Sequence, residues 1–143
     1  YPDRDAELGI LESHGAETVV PEDLVPVTDA RSIAAWTHEI ALVHVAPEVR
    51  RYIVDIADAT RCHRDLTLGV SPRGALALQR ATRSLAASLG RDYAVPDDVK
   101  ALAPAVLEHR LILSPDAQMR GATPSNVIDG ILGTVPAPAA RVE

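Results

Sequence analysis

The chain has 143 residues, of which 47% are hydrophobic and 24% charged; that composition suits one folded domain and excludes a disordered chain. A formal net charge of −6 argues against a broad electrostatic footprint for nucleic acid or an anionic membrane. The single cysteine, Cys62, excludes an internal disulfide framework, and no apolar run approaches the roughly 20 residues needed to span a bilayer.

With no Phe, one Trp and three Tyr, the core must be filled by Leu, Val, Ile and Ala, which suits closely packed helices. No charged start followed by an apolar signal region is present, so the expected compartment is the cytoplasm. The sequence opens Tyr-Pro-Asp-Arg without Met, as a piece excised from something longer would.

Pro2, followed by Asp3, Asp5 and Glu7, predicts a first helix, because Pro is tolerated in a first turn and acidic residues complement the positive end of the helix dipole. Gly15 is its expected terminator. A connector from Ala16 to Thr28, broken by Pro21 and Pro26, carries Val19, Val20, Leu24, Val25 and Val27 and is expected to pack against the body. Asp29 is a good N-cap for a second helix whose Ile33, Trp36, Ile40 and Val43 form an apolar stripe at steps of three and four. A third helix begins near Pro47, places Val49, Tyr52, Ile53, Ile56 and Thr60 on one face, and ends around Arg64. His63, Arg64, Asp65 and Gly69 mark a turn.

Ser71 as N-cap and Pro72 as first helical residue open a central fourth helix that runs to Leu89 and stops at Gly90. Its apolar members include Leu76, Leu78, Leu85 and Leu89. Pro96-Asp97-Asp98 opens a fifth, which Pro104 breaks or kinks. Leu111 to Leu113 is a short extended segment, and Thr123-Pro124 starts a last short helix toward Leu132. The fold class is therefore all-α: a helical bundle of about five helices with short connections, one extended segment and a short closing helix. The domain is expected over residues 1–135, with a disordered tail over 136–143.

No complete catalytic constellation is visible. The phosphate loop G-x-x-x-x-G-K-[ST] is absent, and the only lysine, Lys100, is not preceded by glycine. Cys62, His63 and Asp65 lie close in sequence but lack the second half of a metal site; a buried Cys beside a solvated turn is the better expectation, with no metal. His14, His38, His44 and His109 share no spacing and are expected to be structural or surface residues.

Gly69-Val70-Ser71-Pro72-Arg73-Gly74 is different, because it sets an arginine in the first turn of a helix, where the positive dipole end disfavours cations by up to about 1 kcal/mol. A phosphate against Arg73 would offset that cost, since a guanidinium matches phosphate oxygens with paired N–H donors. A solvated arginine leaning away from the helix is the other possibility that spacing leaves open.

Gly69 to Leu78 (G-V-S-P-R-G-A-L-A-L) resembles the G-A-S-P-R-A segment of the MoxR-type AAA+ ATPases, in which the arginine is the sensor 2 residue. Three further stretches resemble the same family in the same order: Tyr1 to Glu7 its lid opening, Ala59 to Gly69 the approach to sensor 2, and Arg91 to Leu113 its closing helices. The resemblance implies the C-terminal helical lid of such an ATPase, with Arg73 as the sensor 2 residue that contacts ATP and, in the full-length protein only, takes part in catalysis. It implies ATP and Mg2+ as cofactors of the whole protein, and an α/β domain with the Walker elements as the lid's first partner. It further implies neighbouring subunits of a hexameric ring, and a von Willebrand factor A-domain protein as a client to be remodelled. The chain alone, lacking Walker A and B, is expected to hydrolyse no ATP and to hold none tightly.

The sequence departs from the family at Gly74, where Ala is usual, and at Ala46, a poor cap for the third helix. Residues 16–29 and the last twenty fit the pattern poorly. Two alternatives stand beside this reading: the lid of a related AAA+ protein such as a magnesium chelatase subunit, and a free-standing helical interaction module. A DNA-binding domain is disfavoured by the acidic balance.

Overall fold

Helix starts in this chain are written with proline. A computed structural model describes residues 2–14 and 25–139. In it α3 (Pro47–Arg61), α4 (Pro72–Ser88), α5 (Pro96–Leu107), α6 (Pro115–Met119) and α7 (Pro124–Thr134) each begin on a proline at the first helical position. Proline suits that position because the first N–H of a helix has no intrahelical acceptor and φ is already near the helical value. Ser71, Ser114 and Thr123 cap three of these helices through their hydroxyls, accepting from the backbone N–H groups of Gly74 (3.3 Å), Ala117 (3.3 Å) and Asn126 (3.2 Å). Ala46 makes no cap bond, as its side chain requires.

The chain divides into two units, Tyr1–Ile33 and Ala34–Glu143. The first contains α1 (Arg4–His14) and the start of α2 (Ala30–Leu42). Asp3 caps α1 by accepting from Ala6 N–H at 2.9 Å, and Asp29 caps α2 by accepting from Ser32 N–H at 2.7 Å. That backbone donor, followed by the Ser32 side chain, holds the Asp29 carboxyl below its ordinary pKa. Gly15 and residues 16–24 of the connector lie outside the described residues. Val25 and Val27 are exposed.

The second unit holds the core. The buried face of α3 is the one its sequence presents: Val49, Tyr52, Ile53, Ile56 and Thr60. It meets Leu78 and Ala86 of α4, Val99, Ala103 and Leu107 of α5, and Ile128 and Ile131 of α7. Small aliphatic and alanine side chains let α4 and α5 approach closely, in keeping with the lack of Phe.

α4 closes on Gly90, whose φ of +74° is open to a residue without Cβ. Gly90 N–H donates to the Ala87 carbonyl and Arg91 N–H to that of Ala86, each at 2.9 Å. Next, Arg91 forms a two-pronged pair with the buried Asp98 at 2.6 and 2.9 Å, and Asp98 also accepts from Val95 N–H at 2.9 Å, fixing the start of α5. A parallel bridge, His44 N–H to Asp92 O (2.7 Å) and Ala94 N–H to His44 O (2.9 Å), ties the end of α2 to this corner.

Several expectations need correction. β1 (Leu66–Leu68) occupies what the sequence suggested as a turn, and pairs antiparallel with β2 (Ile112–Leu113). α6 was not foreseen, and α3 stops at Arg61 rather than Arg64. α5 runs through Pro104 to Leu107, so the proline does not break it, and passes into a 3-10 turn, Glu108–Arg110; Ala103 and Leu107 on either side of the proline are buried in the core. Leu76 of α4 and Leu89 just after it are exposed, and so are Ile33 and Trp36 of the α2 stripe, the latter at 53%; of that stripe only Val43 is buried. Of the expected tail, residues 136–139 are described and carry no regular structure, and 140–143 lie outside the described residues.

Candidate functional site at the start of α4

The segment singled out by its arginine is pinned to the end of α3 by its backbone. Thr60, fully buried, donates its hydroxyl to the Ala57 carbonyl at 2.6 Å and accepts from Val70 N–H at 2.8 Å. Arg61 Nε donates to the Val70 carbonyl at 2.7 Å, while its Nη1 pairs with Asp58 at 2.7 Å. Gly69 lies against the α3 backbone: a Cβ there would stand 2.6 Å from the Arg61 nitrogen and 2.7 Å from its Cα, closer than side-chain atoms come. Val70 itself is wholly buried. Both backbone polar groups of Val70 are thus held by α3, and Gly69 before it lies against the same helix, before the chain turns into Ser71 and α4.

Gly74 completes the packing. A Cβ on it would lie 2.7 Å from Val70 Cγ1 and 3.4 Å from Arg110 Cδ. Glycine in place of the family's alanine is therefore matched to the larger Val70, which stands where the family motif has alanine.

Arg73 is exposed in the first turn of α4, and its side chain makes no hydrogen bond or ion pair among the described residues. The first turn contains no acidic residue. Ahead of α4 opens a cavity of about 360 Å³ lined by Arg61, Ser71, Arg110 and residues 67–70. Arg110 is braced there by Nε donating to the Val106 carbonyl at 2.9 Å. Two arginines, Arg61 and Arg110, thus line one small region together with the Ser71 that caps α4, at the positive end of that helix.

The other sequence candidates do not gather. Cys62 is exposed rather than buried. His63 Nδ1 accepts from Asp65 N–H at 3.2 Å, a bond that shapes the turn, and Asp65 pairs with Arg120 at 2.5 Å. Among the described residues no group of three or more His, Cys, Asp or Glu could hold a metal ion. His38, His44 and His109 are exposed, and none of them lines this cavity. A second cavity, about 510 Å³ and mostly apolar, lies between Trp36, Ile40 and Val43 on one side and Ala87, Ser88 and Arg91 on the other.

Sequence reasoning missed Thr60, Arg61 and Arg110. The signal for Thr60 was present: it is the polar member of an otherwise apolar stripe on α3. Arg110 had none, since the fold alone brings it to Gly74.

The second unit is a small helical bundle whose α4 carries in its first turn an arginine side chain without a partner among the described residues. The AAA lid domain family matches residues 58–131, just over half of the chain, and the chain belongs to that family, on the MoxR branch of the AAA+ ATPases. Its relatives include protein MoxR of Paracoccus denitrificans, 33% identical over 85% of this chain and 39% of that protein. They also include the chaperone MoxR1 of Mycobacterium tuberculosis, 41% identical over 61% of this chain and 26% of that protein. The uncharacterized protein YeaC of Bacillus subtilis is 36% identical over 99% of this chain and 44% of its own length. The crystal structure of a proposed ATPase from Cytophaga hutchinsonii superposes with a TM-score of 0.78 at 25% identity, covering 97% of this chain and 44% of that one. The chain thus spans less than half the length of each of these proteins.

Proposed function

We propose that this domain is the sensor 2 lid of a MoxR-type ATPase, and that Arg73 is the group that meets the nucleotide phosphates. The observation that carries the reading is the state of Arg73: a cation in the first turn of a helix, exposed, without an ionic partner among the described residues, on a backbone fixed from behind by α3. An arginine so placed is unfavourable for its own helix and becomes favourable only against an anion. The guanidinium would bind the γ-phosphate and oppose the charge that develops on it during transfer.

In this reading ATP and Mg2+ sit chiefly on an α/β domain that carries the Walker elements, and the lid closes over them. Loss of the γ-phosphate releases Arg73 and lets the lid move, which is how hydrolysis would reach a client protein. Assembly in a hexameric ring, a von Willebrand factor A-domain client and a cytoplasmic location belong to the same proposal. Arg73→Ala in the whole ATPase is expected to lower turnover tenfold or more, about 1.4 kcal/mol of transition-state stabilisation, while nucleotide binding is partly kept. Unchanged turnover would leave the likeness purely architectural.

A second reading, a helical protein-interaction module, draws on a different observation: Trp36 and Leu42 of α2 are exposed at 53% and 71%. It requires Arg73 to be dispensable, so the same substitution decides between the two.

A further inference from the structure

The region around Arg73 contains a device that the sensor reading does not require. An arginine that must meet a phosphate at the right moment has to be held at its root, because its own side chain is long and free. The backbone ahead of α4 is held by two consecutive residues of another helix. Thr60 accepts from Val70 N–H at 2.8 Å, and Arg61 Nε donates to the Val70 carbonyl at 2.7 Å. The Asp58 carboxylate keeps the Arg61 guanidinium turned to that task at 2.7 Å. Gly69 lets the strand end lie directly on the α3 backbone, and Ser71 then starts α4. Strand β1, by contrast, pairs with β2 only as far as Leu68.

We infer that Thr60 and Arg61 are positioning residues for Arg73, coupling the C-terminal end of α3 to the placement of the sensor arginine. This inference rests on the sensor 2 reading of Arg73. Neither residue is taken to touch nucleotide; they set where the first turn of α4 stands, and so whether the guanidinium reaches the phosphate without a search. A displacement of about 1 Å at a reacting group can cost up to about a hundredfold in rate, so loosening this root should be visible in turnover.

The test uses the whole ATPase, with Arg61→Ala, Thr60→Val, Thr60→Ser and Arg73→Ala, and the first two repeated in the Arg73→Ala background. Arg61 is 40% exposed on its side chain, so its truncation keeps the buried core intact even if Thr60→Val weakens folding. Arg61→Ala and Thr60→Val are each expected to lower kcat about tenfold, Thr60→Ser to restore it by keeping the hydroxyl, and neither loss to recur once Arg73 is gone. Equal losses in both backgrounds would show action through stability or another route, and would overturn the inference. So would Arg61→Ala within about twofold of wild type while Arg73→Ala remains impaired, a result that leaves the sensor reading standing. Full turnover by Arg73→Ala would overturn both.

Discussion

Val70 and Gly74 exchange volume between them. Each differs in size from the alanine of the family motif, and in opposite directions, because the Val70 methyl occupies the place where a Cβ on residue 74 would fall. Gly74→Ala improves helix propensity by about 1 kcal/mol but overpacks the site by about 1–3 kcal/mol. It is therefore expected to be neutral to destabilising alone and to become stabilising in a Val70→Ala background. A thermodynamic cycle of denaturant unfolding measures the coupling, and strict additivity would mean that the two side chains do not compete. From the sequence Gly74 was only a weak helix residue; its reason lies in a neighbour's methyl group, which spacing cannot display. Tyr52 offers a second case. Its hydroxyl is buried and has no hydrogen-bond partner among the described residues; burial, and next the charge of Asp97, push its pKa up. Tyr52→Phe removes an unpaired polar atom and should leave stability unchanged or raise it by about 1 kcal/mol in thermal unfolding.

At the level of elements, the corner between α4 and α5 concentrates two kinds of control. Nothing lies within 4 Å of a Cβ built on Gly90, yet its φ is +74°, so Gly90→Ala isolates the backbone cost; a loss of about 1–2 kcal/mol is expected in denaturant unfolding, smaller for Gly90→Asn. Asp98 supplies the electrostatic half. Burial pushes its carboxyl up, but the Arg91 donors and Val95 N–H outweigh burial and hold its pKa below the usual carboxylate range. A folded-state pKa that is depressed gives stability fully present above the unfolded value, near about pH 3.9, and lost as pH falls through the folded value. Below about pH 4 the wild type should therefore lose stability that Asp98→Asn never had, and melting curves against pH for the two should converge there. α4 and α7 were legible because a hydroxyl cap and a proline agreed at each start, and α3 and α5 because the proline led into an apolar period. β1, β2 and α6 were not, since elements this short carry no periodicity and their partners lie far away in the chain. The α2 stripe was legible as amphipathic, but periodicity tells only that a helix has an apolar face, not what meets it.

For the whole molecule, charge is distributed unevenly around the overall −6. α4 carries Arg73, Arg80 and Arg83 without one acidic residue, and its start adjoins Arg61 and Arg110. The sequence disclosed Arg73 because a motif surrounds it, whereas the approach of α3 to Val70 and of Arg110 to Gly74 is a property of the fold. Separated from an α/β partner, this domain is expected to melt cooperatively yet release no phosphate from ATP. Stoichiometric, enzyme-dependent release by the purified chain would contradict the assignment of hydrolysis to a partner domain.

The one tryptophan sits on α2, half in solvent, while the core has no other indole. Tryptophan emission of this protein therefore reports on a surface. Unfolding of the α3–α4–α5 core should be nearly silent in tryptophan emission and plain in far-ultraviolet circular dichroism. Conversely, any body that comes to rest on α2 should shift that emission to the blue while the circular dichroism stays unchanged, so the chain carries its own optical probe of being covered.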